Sequence, residues 1–387
     1  MTATPTSAEM LARLVAFDTT SRNSNLDLIA HVRDYLDGHG VPYRVSTDAD
    51  GGKANIHALI GPEAAGGVAL SGHVDTVPVD GQAWISDPFT LREAGGRLYA
   101  RGSADMKGFV ACALAAVPRM KARGLARPLH LFITYDEEVT MDGARRLLTD
   151  LNESGLRPRF CVVGEPSMMR PITGHKGKMD VRVTVRGVPG HSSQPAKGVN
   201  AIYAAAEAIG FVAAEQRRLL AEGPFADGYD PPVTTVHVGT VEGGSILNII
   251  PERAMFMMEW RTVPGMDPLA ELARFRAHVA EAIEPAMKRV SEATGFTFEV
   301  TATAPAMELD AASELASIVG AITGANSAGR VSYGTEGGIY QTEGGIPTIV
   351  CGPGDIAQAH APDEFVARTQ LDACDAFIDR LAERLLV

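Results

Sequence analysis

Several absences narrow the role of this chain before any motif is read. Its 387 residues hold four cysteines (Cys112, Cys161, Cys351 and Cys374), none in a C-x-x-C spacing and all in apolar surroundings. That argues against a disulfide framework or a zinc-finger ligand set, and the thiols read as reduced core residues of a cytosolic protein. No block of Lys or Arg stands out, and the net charge is −12, so nucleic acid is not an expected partner. The longest apolar run, 109–117, ends at Pro118, far short of the ~20 residues a membrane-crossing helix needs. The opening residues, Met1 to Pro5, carry neither the charged nor the apolar segment of a secretory signal, which leaves the cytoplasm as the expected compartment. Two motifs are missing as well. Without G-x-S-x-G there is no nucleophile elbow of a serine hydrolase. Gly337, Gly338, Gly344 and Gly345 do not supply the G-x-G-x-x-G of a dinucleotide site.

What is present suits a globular protein with ample core: 45% of residues are hydrophobic and 21% charged. At about 150 residues per domain, two domains are expected. Apolar residues at helical spacing predict helices over 9–17, with Ser7 as N-cap, and over 26–36. The short apolar runs 68–71, 129–134 and 160–163 read as strands buried on both faces, and a helix is expected over 106–123. This alternation predicts a mixed, largely parallel α/β sheet with helices on both faces. After Gly177 the texture changes. A half-exposed strand over 179–186, a helix over 200–220, strands over 234–241 and 253–261, a helix over 268–293 and a strand over 297–303 give β-α-β-β-α-β, a ferredoxin-like α+β unit. Because α/β texture returns from Leu315, this unit reads as an insertion: 1–178 and 305–387 form one domain, 179–304 the other.

Five segments along this frame carry metal-type ligands at or near strand ends: His73-Val74-Asp75, Asp105 before the helix, Asp136-Glu137-Glu138, Gly164-Glu165-Pro166 and His360. Each alone has an ordinary reading, such as a helix cap for Asp105 or a solvated loop for Glu137 and Glu138. Together they are chemistry. His73 and Asp75 share a strand face, so Asp75 can accept the imidazole N–H left over when the other nitrogen meets a metal. Of the adjacent pair Glu137 and Glu138, one can ligate while the other takes a proton from water. Two zinc ions would be balanced by three carboxylates and one hydroxide, as low-dielectric burial prefers. Cobalt or manganese could serve in such a His/carboxylate set. Metal-assisted hydrolysis is the implied reaction class.

The order and wording of these motifs resemble the zinc aminoacylase, desuccinylase and glutamate carboxypeptidase family over nearly the whole chain. The resemblance implies that His73 and Glu165 hold one zinc, that Glu138 and His360 hold a second, and that Asp105 bridges them. Asp75 would orient His73, and Glu137 would be the general base. It further implies a homodimer through the inserted domain, with His191 (in Gly190-His191-Ser192-Ser193) reaching a neighbouring active site to stabilise an oxyanion. Structurally, His191 could instead cap a helix starting near Gly198. Asn248 and Arg261 match positions that hold the substrate carboxylate, a task a planar guanidinium suits. Gly174-His175-Lys176-Gly177, the segment from Tyr333-Gly334-Thr335-Glu336 through Cys351, and Gln358 to Phe365 resemble the acetylornithine deacetylase branch. The implied reaction is hydrolysis of N-acetyl-L-ornithine. A desuccinylase, a broad N-acyl-amino-acid deacylase and a non-catalytic metal-binding dimer are the alternatives. Glu336, between glycines, is a candidate partner for the substrate's side-chain ammonium.

Overall fold

The computed structural model describes residues 4–386, which fall into two compact units. The larger takes the chain up to Gly174, Met307–Arg330 and Thr335 onward; the smaller takes His175–Ala306 with Val331–Gly334.

The larger unit is built on a nine-stranded sheet. At its centre Leu129–Thr134, Val68–His73, Phe160–Pro166 and Thr348–Gly352 lie side by side and parallel. Every residue of these four strands is buried, which is why they read as continuous apolar runs rather than alternating ones. The flanking strands run antiparallel, Ala54–Ile60 on Leu129–Thr134 and Ile172–His175 on Thr348–Gly352. Parallel strands in register (Val68 opposite both Leu129 and Phe160) end together, so the turns and loops beyond their C-terminal ends gather on one sheet edge. That edge is where open α/β sheets place ligands.

Helix Lys107–Arg123 lies directly on this sheet because two strands present glycine to it. A Cβ on Gly72 would come within 2.8 Å of Val110, and one on Gly164 within 1.9 Å of Phe109. These glycines immediately precede His73 and Glu165. The close approach that buries Phe109 and Val110 therefore also brings the helix entrance, with Asp105, to the two strand ends. The first helix spans Ser7–Val15 rather than 9–17, and its cap is Thr6 rather than Ser7. Thr6 and Glu9 complete a capping box, satisfying two orphan N–H groups where Ser7 would satisfy one.

In the smaller unit, strands Gly177–Arg186, Thr235–Gly243, Arg253–Thr262 and Gly295–Ala304 form an antiparallel sheet in the order second, third, first, fourth. With helices Ala201–Glu222 and Pro268–His278 between them, this is the ferredoxin-like arrangement. Met179, Val181, Val183 and Val185 alternate onto a buried face shared with Ala204, Ala208 and Val212 of the first helix. The expected long helix over 268–293 is broken. After His278 it opens into a π-turn, Val279–Ile283, and only a short helix Glu284–Lys288 comes after it. Pro285 explains the widening, since it has no N–H to return to the carbonyl four residues back. Among the described residues no helix is long and apolar enough to cross a membrane. All four cysteines are buried and free of disulfides.

Candidate metal centre

His73 ends its strand fully buried, with Nε2 at 3.1 Å from Asp105 Oδ1 and 3.6 Å from Glu165 Oε1. Asp105 turns its second oxygen the other way, with Oδ2 at 3.2 Å from His360 Nε2. The same His360 nitrogen is 3.1 Å from Glu138 Oε2. One carboxylate thus stands between two imidazoles, with a glutamate beside each. Glu137 Oε2 lies 4.0 Å from His73 Nε2, on that side of the cluster. Ligand-type atoms of His73, Glu137 and Glu165 all fall within 4.8 Å of one another, and so do those of His73, Asp105 and Glu138.

The backbone explains how these side chains meet. His73 Nδ1 is 3.0 Å from the main-chain carbonyl of Asp75 and 3.4 Å from its Oδ1. Donation from Nδ1 leaves Nε2 as the free nitrogen, aimed at Asp105. The Asp75 carboxylate does more than face His73. It accepts from the Ser21 hydroxyl at 2.8 Å and from the backbone N–H groups of Glu137 and Glu138 at 3.1 and 3.2 Å. It therefore holds the turn that presents both glutamates. That turn begins at Asp136, left-handed at φ 60°, whose carboxylate pairs with Lys53. His360 is also left-handed, at φ 61°, and its side chain is half exposed.

The electrostatics are those of acids crowded around too little positive charge. Burial, reinforced by Asp105, pushes Glu138 up to about 7. Burial also raises Glu137 and Glu165, which their acidic neighbours help hold well above the usual carboxylate range. Hydrogen bonds to Asp105 and Glu138 raise His360 to about 10. Burial opposes the charged form of His73, yet Asp105 and Asp75 keep its pKa well above the ordinary value. Burial likewise opposes ionised Asp105, and its two histidines overcome it. Glu165 Oε1 is buried without a hydrogen-bond partner. Divalent cations placed among these oxygens and imidazoles would use that orphan atom and remove the repulsion, so the donor set fits metal.

In the smaller unit, His191 and Asn248 come together. Gly190–His191 pairs with Ile249–Ile250, and the Ser192 N–H donates to the Asn248 carbonyl at 3.1 Å. His191 caps no helix; Asn200 caps Ala201–Glu222 through its side chain. Ser193 N–H donates to His191 Nδ1 at 3.2 Å, with the Ser193 hydroxyl 2.7 Å from the same nitrogen, so Nδ1 is the accepting nitrogen and Nε2 the one left to donate. Arg261 stands elsewhere. It lies opposite Lys178, whereas Arg253 at the start of the same strand lies opposite Arg186, near the His191 end. Eight residues of strand separate these positions by roughly 25 Å. Arg261 pairs with Glu259 at 3.1 Å.

The profile of Peptidase family M20/M25/M40 matches residues 69–384. The chain belongs to that family. It is 37% identical over 96% of its length, and 95% of the relative's, to an acetylornithine deacetylase of Myxococcus xanthus. Its fold resembles an M20 family metallo-carboxypeptidase of Sulfolobus solfataricus (TM-score 0.75, 17% identity, 97% and 98% of the two chains). It also resembles a tripeptidase of Staphylococcus aureus (TM-score 0.74, 20% identity, 98% of each chain). A Bacillus subtilis dinuclear metal binding peptidase of the family matches at TM-score 0.65 with 16% identity over 98% of each chain.

In this M20 hydrolase Glu336 is 1% exposed, with the Tyr340 hydroxyl 3.2 Å and the Ser71 hydroxyl 3.5 Å from Oε2. Its flanking glycine serves packing rather than mobility, since a Cβ on Gly337 would lie 2.8 Å from Met307 Sδ. Sequence reasoning missed Ser21, Arg101 and Glu364, all buried around the site. Glu364 stood four residues past His360, a spacing that offered the one available hint.

Proposed function

We propose that this hydrolase removes the acetyl group of N-acetyl-L-ornithine at a dinuclear centre, giving L-ornithine and acetate in the cytoplasm as a step of arginine biosynthesis. The observation that carries this reading is the Asp105 carboxylate, one oxygen toward His73 and the other toward His360. The substrate is taken from the relative's activity, on the strength of identity along nearly the whole chain.

His73 and Glu165 would hold one Zn²⁺, Glu138 and His360 the other, with Asp105 between; Co²⁺ is a plausible substitute on donor chemistry. When bound, such a pair lowers the pKa of water and polarises the amide carbonyl. Glu137 then acts as general base. Its carboxyl is buried beside His73 and already favours holding a proton, so it can take one from the attacking water and return it to the leaving nitrogen. Asp75 keeps Glu137 in place through its backbone. His191 offers its Nε2–H to the developing oxyanion. Arg261 and Asn248 would hold the substrate carboxylate.

The roughly 25 Å between the His191 and Arg261 ends of one sheet is more than a small acyl amino acid spans. That separation supports a homodimer in which His191 and Asn248 serve the partner's site. Exposed apolar side chains nearby in the same unit, Leu247 at 98% and Tyr203 at 70%, give such an interface its material.

The test is kcat/KM of the zinc-loaded protein on N-acetyl-L-ornithine, N-acetyl-L-methionine and N-succinyl-diaminopimelate. A clear preference for acetylornithine is expected. Faster turnover of another substrate keeps the centre and replaces the substrate; no turnover on any overturns the reading. The grouping of Glu137 with His73 and Glu165 favours one alternative, Glu137 as a ligand, which metal content of Glu137→Ala decides.

A further inference from the structure

Beyond the ligands, one buried carboxylate is used on three backbone N–H groups of the site and one guanidinium. Glu364 is 1% exposed and accepts four hydrogen bonds. Oε1 takes the N–H groups of Ala104 at 2.9 Å and Asp105 at 3.0 Å; Oε2 takes Gly102 N–H at 3.1 Å and Arg101 Nη1 at 2.7 Å. The loop 102–105 is thus wrapped around one anion, ending at the residue whose side chain faces both histidines.

Arg101 carries the connection onward. It too is 1% exposed, stacks over Trp84 at 5.1 Å, and gives Nη2 to Gln82 Oε1 at 2.6 Å. Gln82 in turn donates Nε2 to the carbonyl of His360 at 3.0 Å, and Arg101 Nη1 reaches the Ala361 carbonyl at 3.4 Å. Asp363 accepts from Ile85 N–H at 3.1 Å. His360 needs such support. Its left-handed backbone is unfavourable for a residue with a Cβ, and its side chain gains little from packing while half exposed.

We propose that Glu364, with Arg101 and Gln82, is the positioning device of the metal centre. It fixes Asp105 from the backbone side and locks the His360 loop to the Asp105 loop, so that Asp105, Glu138 and His360 converge on one ion. His73 and Glu165 stand on strand ends and do not depend on it, so the ion they hold feels only the change at Asp105, whereas the other feels changes at both Asp105 and His360. The inference rests on the dinuclear reading above. Glutamine at 364 is the sharp probe: it keeps the volume but sets an amide NH₂ against donors that now meet an oxygen.

Metal-depleted wild type and E364Q are titrated with Co²⁺, following visible absorption and heat. Wild type is expected to take up two equivalents. E364Q is expected to bind one within about threefold of wild type and the other 10–100-fold more weakly, with an altered cobalt spectrum, as loss of outer support to metal ligands does. Its kcat for the zinc form should fall while KM moves little, because the substrate's own contacts are untouched. Two equivalents bound by E364Q with wild-type affinity and spectrum overturn this inference alone. Fewer than two in wild type overturn the dinuclear reading and this one with it. Should circular dichroism show E364Q unfolded, Q82A decides: the same equivalent weakens by at least threefold, or the proposal fails.

Discussion

His73 and His360 face the same aspartate from opposite sides, yet the chain makes them by different means. His73 ends an entirely buried parallel strand, in register with its neighbours, and its ring is fixed by a carbonyl two residues on. His360 sits in a loop past the strand Thr348–Gly352, left-handed and half exposed, and relies on side chains from distant segments. Position comes from the sheet in one case and from added polar ties in the other. The adjacent glutamates divide along the same line, Glu137 toward His73 and Glu138 toward His360.

That division gives the largest expected effect. Glu137→Ala should lower kcat by about 10²–10⁴, the usual contribution of a general base, with both metals still bound. Glu138→Ala should instead release the metal on the His360 side. Metal content by elemental analysis beside kcat separates the two, and loss of metal from Glu137→Ala would place both glutamates on the ions.

The same contrast explains what the sequence could reveal. His73, Glu137, Glu138 and Glu165 adjoin runs so apolar that only buried strands accommodate them, and parallel strands end together. Composition and order alone therefore brought them to one edge. His360 was read from its place just past the apolar run 348–351, but nothing in Gln358 to Pro362 predicts how that loop turns back, and its pairing with Glu138 came only from the resemblance. Arg101 and Glu364 were invisible as a pair because 263 residues separate them and each looks like an ordinary surface charge. The surroundings of Glu336 were equally hidden, since glycines beside an acid suggest a mobile loop, whereas Gly337 packs close on Met307 Sδ. The helix over 268–293 failed at Pro285, a breaker the apolar periodicity concealed.

Replacing each histidine sharpens the comparison in stability. His73→Ala leaves Asp105, Asp75 and Glu165 buried beside a cavity, and removal of one partner from a buried charge cluster costs about 3–5 kcal/mol. His360→Ala removes a half-exposed partner and should cost about 1 kcal/mol or less. Thermal denaturation in the presence of chelator measures both without the contribution of metal. Equal losses would mean that the loop is as well packed as the strand.

Asp75→Asn tests the strand side through its support. It keeps the shape but weakens acceptance from the Glu137 and Glu138 N–H groups and the Ser21 hydroxyl. A 10–100-fold fall in kcat or in metal affinity is expected, as for other outer-shell partners. An unchanged pH–rate profile together with unchanged affinity would reduce Asp75 to a structural residue.

A last contrast sets His73 against two other buried histidines of the same sheet. His57 Nε2 lies 3.0 Å from His130 Nδ1, and His130 Nε2 is 2.9 Å from the Gly66 carbonyl. Burial, then the neighbouring ring, pushes His57 down to about 3; burial pushes His130 down to about 4. Their folded pKa values lie below the unfolded value near 6.5, so the unfolded chain binds more protons as pH falls through that point. Stability from this pair is full above pH 6.5 and is lost toward pH 4 and below, by about 1.5 kcal/mol per histidine between pH 6.5 and 5. His73 has the opposite sign. Its raised pKa makes its contribution complete below pH 6.5 and lost as pH climbs through the folded value. The carboxylates of the metal centre, raised by burial, act with the opposite sign but equally in both proteins, so in chelator a His57→Gln, His130→Gln double variant should gain melting temperature relative to the wild type as pH falls from 7 to 5. If the difference in melting temperature between double variant and wild type does not change with pH, the two rings are not a buried neutral pair, and the contrast with His73 falls.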